Sequence, residues 1–334
     1  MRPAVLATRA TFPDVTARLS QHFELEDNPT DEIWSREELL RRLRGRVGVM
    51  STGTERIDAE LLDACPSLKA VCNVGVGYNN IDVAACTSRG VLVTNTPDVL
   101  TETTADFGFA LMMATARRIG ESERFVRRGE WRKTGIHDHF VGGDLFGATL
   151  GILGMGRIGR AIARRAARGF DMQVIYHNRS RLPANLEAEV GARYVDKSTL
   201  LHESDHLVLV LPYSKDSHHS IGAAELAQMQ PHATLTNIAR GGIVDDAALA
   251  QALRNGTIAA AGLDVFEGEP DVHPELLSLP NVVLTPHIGS ASRKTRLAMA
   301  MLAADNLIAA LGAGERAGKP PTAVNPEVLR GAKP

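Results

Sequence analysis

The chain has 334 residues, of which 44% are hydrophobic and 23% are charged, and its formal net charge is −2. Such a length suits about two domains. The balanced charge argues against binding to nucleic acid or to an acidic membrane surface, and no apolar run approaches the ~20 residues of a membrane-spanning helix. The three cysteines, Cys65, Cys72 and Cys86, have no CxxC spacing, so we expect reduced thiols in a cytoplasmic protein.

The first hundred residues alternate short apolar segments with helical patterns. Strands are predicted at residues 4–7, 23–25, 47–50, 68–74 and 91–94. Among the helices between them, the one at residues 36–43 has Ser35 as a candidate N-cap, and Glu38 would complete a capping box. Strands that alternate with helices in units of about 25 residues indicate a parallel sheet with helical crossovers.

The pattern changes at Thr101, a candidate cap for a long helix that we predict to run to residue 118. A second helix is predicted at residues 121–128, and residues 129–146 are irregular. This irregular stretch includes His137, Asp138 and His139, which invite comparison with a metal site. We predict a polar loop and no metal, because no third and fourth ligands sit at a usual spacing.

Residues 149–180 read as a strand, a glycine turn, a helix and a second strand. The turn is Gly154-Met155-Gly156-Arg157-Ile158-Gly159, and it follows the apolar strand 149–153 directly. In such a unit the first glycine permits a tight turn, the second lets the backbone approach a pyrophosphate, and the third lets helix and strand pack closely. The helix N-terminus also offers N–H groups and a positive dipole end to phosphates. The unit therefore predicts a dinucleotide-binding site.

The second strand of this unit, at residues 172–176, is followed by basic and neutral polar residues rather than by an acid. A site for NAD normally has Asp or Glu about 20 residues after the glycine turn, where it binds the ribose 2′-hydroxyl. Here Arg179 and Arg181 can pair with a 2′-phosphate, and Asn178 and Ser180 can add neutral hydrogen bonds. We therefore predict a preference for NADPH over NADH, with an ordinary basic loop as the alternative.

The remaining chain continues the alternation, and its polar residues at strand ends are candidates for chemistry. Further strands are predicted at residues 206–211, 234–238, 259–265 and 282–284, then a helix from Ser290 or Ser292 to residue 311, and a loop-like tail from residue 312. Arg240, Glu269 and His287 follow the last three strands. Ligands of open parallel sheets bind at the carboxyl ends of strands. Taken singly, each residue suits an ordinary surface or capping role, but together they indicate a carboxylate-binding, proton-donating set.

Six motifs give the chain a clear family resemblance. They are VGVGYNNID, TPDVLTETTADF, LGILGMGRIG, NIARGGIVDD, AAGLDVFEGEP and TPHIGS. The chain resembles the D-isomer-specific 2-hydroxyacid dehydrogenases over nearly all of its length, and most of all their glyoxylate/hydroxypyruvate reductases, also called 2-ketogluconate reductases. This resemblance implies an α/β fold with two Rossmann-like, doubly wound parallel-sheet domains and a cleft between them. Residues 1–100 and 289–334 would form a flavodoxin-like substrate domain, and residues 101–288 an NAD(P)-binding Rossmann domain.

The resemblance also implies roles for individual residues. His287 matches the general acid/base, Glu269 its carboxylate partner and Arg240 the substrate-binding arginine. Val76 and Gly77 match the loop whose backbone N–H groups hold the substrate carboxylate, and Asp264 matches a residue near the nicotinamide carboxamide. Together, the positions expected to contact the cofactor are Thr104, Gly154, Met155, Gly156, Arg157, Ile158, Gly159, Asn178, Arg179, Ser180, Leu211, Pro212, Ile238, Ala239, Arg240, Asp264, His287 and Gly289.

The function implied is the reduction of small 2-keto acids such as glyoxylate, hydroxypyruvate or 2-ketogluconate to D-2-hydroxy acids, with NADP(H) or else NAD(H). An imidazolium at His287 would supply the proton for the developing alkoxide, with a neighbouring carboxylate as its partner. The family also suggests a homodimer, held by an arm that corresponds to residues 129–146 with Trp131 and Phe140. The alternatives are an NAD-dependent dehydrogenase of another D-2-hydroxy acid or of phosphite or formate, and a non-catalytic NAD-binding interaction module.

Overall fold

Parallel β-sheets form the centre of both units of the computed structural model, which describes residues 2–135 and 139–331. The first unit comprises Met1–Leu100 and Ser292–Pro334, and the second comprises Thr101–Ala291. The return to the first unit thus falls three residues after the predicted position 289. His137 and Asp138 of the predicted polar loop lie outside the described residues.

The first unit begins with strands and helices in strict alternation. Its elements are β1 (Ala4–Ala7), α1 (Pro13–His22), β2 (Glu24–Glu26), α2 (Arg36–Leu43), β3 (Gly48–Ser51), α3 (Ala59–Ala64), β4 (Ala70–Asn73), α4 (Val83–Ser88) and β5 (Leu92–Thr94). The strands pair in parallel in the order β2-β1-β3-β4-β5, which confirms the predicted parallel sheet with helical crossovers.

The cap of α2 is formed only in part as predicted. The Ser35 hydroxyl accepts a hydrogen bond from the backbone N–H of Glu38 at 3.3 Å. The Glu38 carboxylate accepts from Arg41 and Arg42, at 2.7 Å and 2.6 Å from their Nε atoms. The predicted capping box is therefore wrong in its second half, because these two arginines occupy the carboxylate.

The second unit starts with two helices and continues as a larger parallel sheet. Its elements are α5 (Thr101–Ala116), α6 (Ile119–Arg127), β6 (Thr149–Leu153), α7 (Arg157–Phe170), β7 (Gln173–His177), α8 (Ala184–Ala188), β8 (Arg193–Tyr194), α9 (Lys197–Glu203), β9 (His206–Leu209), a 3₁₀ turn (Lys215–Ser217), α10 (Ala223–Leu226), β10 (Thr234–Asn237), α11 (Asp246–Arg254), β11 (Ala260–Leu263), α12 (Pro274–Ser278) and β12 (Val282–Leu284).

The strand order of this sheet is β12-β11-β10-β9-β6-β7-β8, and its pairings are parallel. The chain order reverses between β6 and β9, so a switch point lies at the end of β6, where the glycine turn begins. Apolar residues fill both faces of the sheet, with α5 and α7 packed together on one of them. The doubly wound α/β fold predicted from the sequence is therefore confirmed.

The chain returns to the first unit through α13 (Arg293–Ala310) and a C-terminal segment. Ser292 rather than Ser290 caps α13, accepting from the N–H of Thr295 at 3.2 Å. The segment from residue 312 was predicted as a loop, which is wrong in part. Ala323 pairs with Thr94, and α14 (Glu327–Gly331) follows.

A buried asparagine holds this segment against the edge strand β5. The Asn325 side chain accepts from the N–H of Val93 at 2.7 Å and donates to the carbonyl of Val91 at 3.0 Å. These bonds satisfy backbone groups that an edge strand otherwise leaves without a partner. The C-terminal segment is therefore part of the first unit's hydrogen bonding.

Two further expectations from the sequence were that the three cysteines are reduced thiols and that no segment spans a membrane. Cys65, Cys72 and Cys86 are buried and unpaired, and burial raises the pKa of the Cys72 thiol to about 12. Thiols of this kind are inert at neutral pH. Within the described residues, we find no helix that combines the length and the apolar character needed to cross a bilayer.

Candidate active site

The glycine turn after β6 has the geometry that a dinucleotide requires. Gly154 has a φ of 105°, and a Cβ there would lie 2.7 Å from the backbone N of Leu211. Gly159 lies so close to Gly154 that a Cβ would come 2.5 Å from the Gly154 carbonyl oxygen. At Gly156, the N-cap of α7, a Cβ would meet no atom within 4 Å. Two glycines thus allow tight packing, and the third faces open space.

The open side of Gly156 lies at the start of α7, where a helix presents N–H groups and the positive end of its dipole. Anionic groups are stabilised at such a position. The residues of the turn therefore fit the pyrophosphate of a nicotinamide dinucleotide.

Asn178 connects this turn to the loop that follows β7. Its side-chain oxygen accepts from the N–H of Met155 at 2.7 Å, and its carbonyl accepts from the Tyr194 hydroxyl at 3.1 Å. The Met155 side chain is fully buried in the core. Both were predicted as cofactor residues, and the structure shows that the bond between them holds the turn in shape.

The basic loop after β7 contains two arginines in different situations. Arg179 and Ser180 are exposed, and within residues 2–135 and 139–331 the Arg179 side chain has no hydrogen-bond or ion-pair partner. Arg181, which the sequence analysis assigned to a 2′-phosphate, is bound to Glu187. Its Nε and Nη2 donate to the two carboxylate oxygens at 2.9 Å and 2.8 Å. Helix α8, which provides Glu187, was not predicted from the sequence.

His287 and Glu269 form a hydrogen-bonded pair beyond the ends of β12 and β11. The His287 Nδ1 lies 2.8 Å from Glu269 Oε2, and the Phe266 N–H donates to Glu269 Oε1 at 2.9 Å. Burial opposes ionisation of Glu269, but the bond to His287 and its charge outweigh burial and lower the pKa of Glu269. The carboxylate is therefore ionised at neutral pH.

Asp264 determines the path of the segment that carries His287. Its Oδ1 accepts from the Ile288 N–H at 2.8 Å and from the Thr285 hydroxyl at 2.7 Å, and its Oδ2 accepts from the Gly289 N–H at 2.8 Å. The His287 N–H donates to the Asp264 carbonyl at 2.9 Å, and His287 adopts a left-handed φ of 53°. Burial raises the pKa of Asp264, although these hydrogen bonds act in the opposite direction.

The predicted cofactor residue Thr104 lies beside this segment. A Cβ on Gly289 would lie 3.5 Å from Thr104 Cγ2 and 3.2 Å from Asp264 Oδ2. The structure thus brings Thr104, Asp264 and Gly289 together at the end of β11. Leu211 and Pro212 follow β9, and the buried residues Ile238 and Ala239 follow β10.

Arg240 follows β10, and Asn237 shapes the turn that presents it. The Asn237 side chain accepts from the Ala239 N–H at 3.0 Å and donates to the Arg240 carbonyl at 3.3 Å. Asn237 was not predicted to have a role, because the sequence shows only an asparagine three residues before Arg240 at a strand end.

A glycine brings the Arg240 turn against the loop that contains Glu269. A Cβ on Gly241 would overlap the Phe266 carbonyl, so only glycine permits this approach. Burial lowers the pKa of the Arg240 guanidinium, whereas the negative charge of Glu269 acts in the opposite direction. A cation, a carboxylate and a histidine are therefore assembled at the carboxyl edge of one sheet.

Val76 and Gly77, the predicted substrate-binding pair, lie in the first unit between β4 and α4. Asn95 Nδ2 donates to the Val76 carbonyl at 2.8 Å, and Asn73 Nδ2 donates to the Gly77 carbonyl at 3.0 Å. With both carbonyls held by asparagine amides, the peptide groups of this loop have a fixed orientation. Neither asparagine was predicted to have a role.

A second cluster of polar groups near the sheet edge contains His218, His219 and Glu267. His219 Nε2 lies 2.9 Å from Glu267 Oε2. The two imidazole rings are stacked, with centroids 3.9 Å apart and an interplanar angle of 21°. Each lone pair lies in the plane of its ring, and two nearly parallel planes do not meet at one ion as the ligands of a tetrahedral metal site must.

Comparison with known proteins places this site in a family. Residues 109–289 match the model of the D-isomer specific 2-hydroxyacid dehydrogenase, NAD binding domain. A glyoxylate reductase of Thermococcus onnurineus is 51% identical over 337 residues, which cover 100% of this chain and 99% of the relative.

Two crystal structures extend the likeness to the fold. A glyoxylate reductase from Paecilomyes thermophila has 37% identity and a TM-score of 0.86, with 98% of this chain and 99% of that chain covered. An NADPH-dependent glyoxylate/hydroxypyruvate reductase from Sinorhizobium meliloti, in complex with NADP and malonate, has 38% identity, a TM-score of 0.83 and 97% coverage of both chains. The chain therefore belongs to the D-isomer specific 2-hydroxyacid dehydrogenases and is an NAD(P)-dependent oxidoreductase.

Proposed function

We propose that this protein reduces small 2-keto acids to D-2-hydroxy acids, with glyoxylate and hydroxypyruvate as substrates and NADPH as the preferred reductant. 2-Ketogluconate is a further candidate substrate. The observation that carries the proposal is the hydrogen-bonded pair of His287 and Glu269 beside the half-buried Arg240. The names of relatives that are about half identical to this chain support the choice of glyoxylate. Turnover of a panel of 2-keto acids with both cofactors tests it.

The chain's own residues would bind the substrate and handle its proton. When bound, a reduced nicotinamide supplies a hydride for C2 of the keto acid. Backbone N–H groups at Val76 and Gly77 would hold the substrate carboxylate, and Arg240 would stabilise the negative charge that develops on the carbonyl oxygen. His287 would donate its proton to that oxygen.

The bond from Nδ1 to Glu269 determines how His287 performs this role. It fixes the plane of the imidazole and assigns proton donation to Nε2. The Glu269 carboxylate is ionised, so it acts as the acceptor of the bond from Nδ1. Asp264 acts further from the substrate, since its carboxylate holds the segment from which His287 projects.

The preference for NADPH rests on the loop after β7. A 2′-phosphate near Arg179 and Ser180 would meet an exposed guanidinium that has no partner within the described residues. Neither position carries a carboxylate, so nothing at these two residues repels the phosphate. One charge-assisted hydrogen bond contributes about 1.5–3 kcal/mol, which corresponds to a tenfold to hundredfold preference.

Replacing Arg179 with alanine is accordingly expected to weaken NADPH binding by about tenfold to hundredfold and to change NADH binding little. The dissociation constants of both cofactors can be measured by titration of nicotinamide fluorescence. Arg254→Ala, which removes an exposed arginine paired with Glu275, is the control for loss of one surface charge. An Arg179→Ala protein that loses both cofactors to the same extent would refute the assignment.

We also propose that the protein is a homodimer held by the arm at residues 129–146, together with the neighbouring helix α6. Large apolar side chains on this stretch are exposed, namely Ile119, Val126, Trp131, Val141 and Phe146, the last with 73% of its surface accessible. Helix α6 has no buried residue of its own in the described structure. Exposed apolar side chains of this size suit burial against a second copy of the chain.

Light scattering at micromolar protein is expected to give twice the 35.9 kDa of one chain. The double variant Val126→Asp, Phe146→Asp should give a monomer, because two buried charges would oppose association. Leu277→Asp, at an exposed leucine outside the stretch, should remain dimeric. A wild-type mass of one chain would show that the proposal is wrong.

The buried free thiols suit a reducing compartment, and we propose a cytoplasmic location.

A further inference from the structure

Tyr176 of β7 and two side chains that follow the strand, Arg181 and Glu187, are joined by hydrogen bonds. Glu187 receives both Nε and Nη2 of Arg181, at 2.9 Å and 2.8 Å, and it also accepts from the Tyr176 hydroxyl at 2.6 Å. The Tyr176 hydroxyl in turn accepts from the Leu182 N–H at 2.9 Å. Tyr176 is fully buried in the core of the second unit, and its hydrogen bond therefore holds the Glu187 carboxylate in a fixed position.

The carboxylate at the centre of this set is ionised under all ordinary conditions. The hydrogen bonds from Arg181 and then from Tyr176 lower the pKa of Glu187 to about 2. Its charge therefore offsets the charge of Arg181 at any pH at which the enzyme would work. Arg179, two residues earlier on the same loop, has no such partner among the residues that the structure describes.

These contacts give the two arginines unequal access to a phosphate. A guanidinium binds a carboxylate or a phosphate best through two parallel N–H groups, and Glu187 already occupies one such edge of Arg181. To bind a 2′-phosphate through that edge, Arg181 would have to leave Glu187, and the phosphate would approach a carboxylate of the same sign. A ribose 2′-hydroxyl, which is neutral, meets no such repulsion.

We propose that Glu187 is a determinant of cofactor selectivity: it sequesters Arg181 and so limits the preference for NADPH that Arg179 creates. This inference rests on the proposed placement of the 2′-phosphate at the loop after β7. Glu187 lies in α8 rather than at the end of β7, where a carboxylate selective for NAD usually stands. It acts through Arg181 and is a positioning residue.

The test measures equilibrium binding of NADPH and NADH to the full chain, by fluorescence titration, for four proteins. They are the wild type, Glu187→Gln, Arg181→Ala and the double variant. Glutamine keeps an acceptor for the Tyr176 hydroxyl but weakens the hold on Arg181. We expect Glu187→Gln to tighten NADPH binding about tenfold, which is the effect of one new charge-assisted contact, and to leave NADH unchanged.

The double-mutant cycle distinguishes release of Arg181 from a general change of charge. With Glu187 present, Arg181→Ala should weaken NADPH binding, because it leaves that carboxylate without its cation, but by less than Arg179→Ala does. In the Glu187→Gln background it should abolish the gain. Glu189→Gln removes the same charge from an exposed residue just after α8 and should have no effect.

Two results would overturn the inference. One is an unchanged NADPH affinity in Glu187→Gln, and the other is an Arg181→Ala variant that loses as much NADPH affinity as Arg179→Ala. The comparison of Arg181→Ala with Arg179→Ala is made with Glu187 in place. It therefore tests the inference even if the Glu187→Gln protein folds poorly. If instead Arg179→Ala leaves NADPH binding intact, the proposed cofactor site itself has failed.

Discussion

Replacing His287 with alanine is expected to lower kcat for glyoxylate by about 10²–10⁴-fold, while the dissociation constant of NADPH stays close to that of the wild type. Alanine removes the proton donor and leaves the glycine turn and the loop after β7 untouched. The backbone bond from residue 287 to the Asp264 carbonyl also remains. Loss of turnover without loss of binding identifies a residue that acts on the reacting oxygen rather than on the cofactor.

His232→Ala is the matched control for this variant. His232 also pairs with a carboxylate, at 2.7 Å from Asp205, but at the amino ends of the strands and not at their carboxyl ends. We expect its kcat to remain near that of the wild type. A His287→Ala protein that keeps its kcat, or one that no longer binds NADPH, would contradict the role given to His287.

Replacing Arg240 with alanine should lower kcat/KM for glyoxylate by about 10²–10³-fold, as removal of one preorganised donor to a developing oxyanion does. Lysine should restore little of this loss, because an ammonium cannot form the two parallel hydrogen bonds of a guanidinium. Stopped-flow and steady-state kinetics with both variants measure the effect.

The Arg240 variants must still fold for this result to be informative. Asn237 and Gly241 shape the turn through backbone contacts, so we expect the thermal midpoint to change little when only the guanidinium is removed. An Arg240→Lys enzyme with wild-type kcat/KM would rule out bidentate binding of the substrate by residue 240.

The sequence predicted the dinucleotide unit almost to the residue. Strand β6 has the predicted bounds. Helix α7, which the apolar pattern places at residues 158–167, begins one residue earlier and ends three residues later. The helix ends at Asp171, which adopts a left-handed φ of 53°. An aspartate at this position is a weaker sequence signal for a helix end than the usual glycine. Periodicity and glycine spacing are local, and they therefore identify such a unit well.

Features that depend on distant contacts were not predictable in the same way. Helix α8 has five residues and β8 has two, which is too short for a periodic signal. The structured C-terminal segment depends on Asn325, whose partners lie more than two hundred residues earlier in the chain. The bond between Arg181 and Glu187 depends on where α8 packs, so sequence reasoning counted Arg181 as available to a phosphate.

The candidate catalytic residues could be predicted from the sequence, but their arrangement could not. Strand ends and the family motifs pointed to Arg240, Glu269 and His287 without showing how they meet. The structure supplies a 2.8 Å bond between His287 and Glu269, and a glycine at position 241 that lets the two loops touch. The positioning roles of Asn237 and Asp264 are seen only in the hydrogen bonds that their side chains form with neighbouring backbone groups.

The most direct test of the proposed reaction is the steady-state reduction of glyoxylate by the wild-type protein with NADPH and with NADH, followed by cofactor oxidation and by the glycolate formed. We predict turnover with one glycolate per cofactor oxidised, and a kcat/KM at least about tenfold higher with NADPH. Equal kcat/KM values would contradict the cofactor assignment. Binding of the cofactor without oxidation by glyoxylate, hydroxypyruvate or 2-ketogluconate would contradict the proposed reaction.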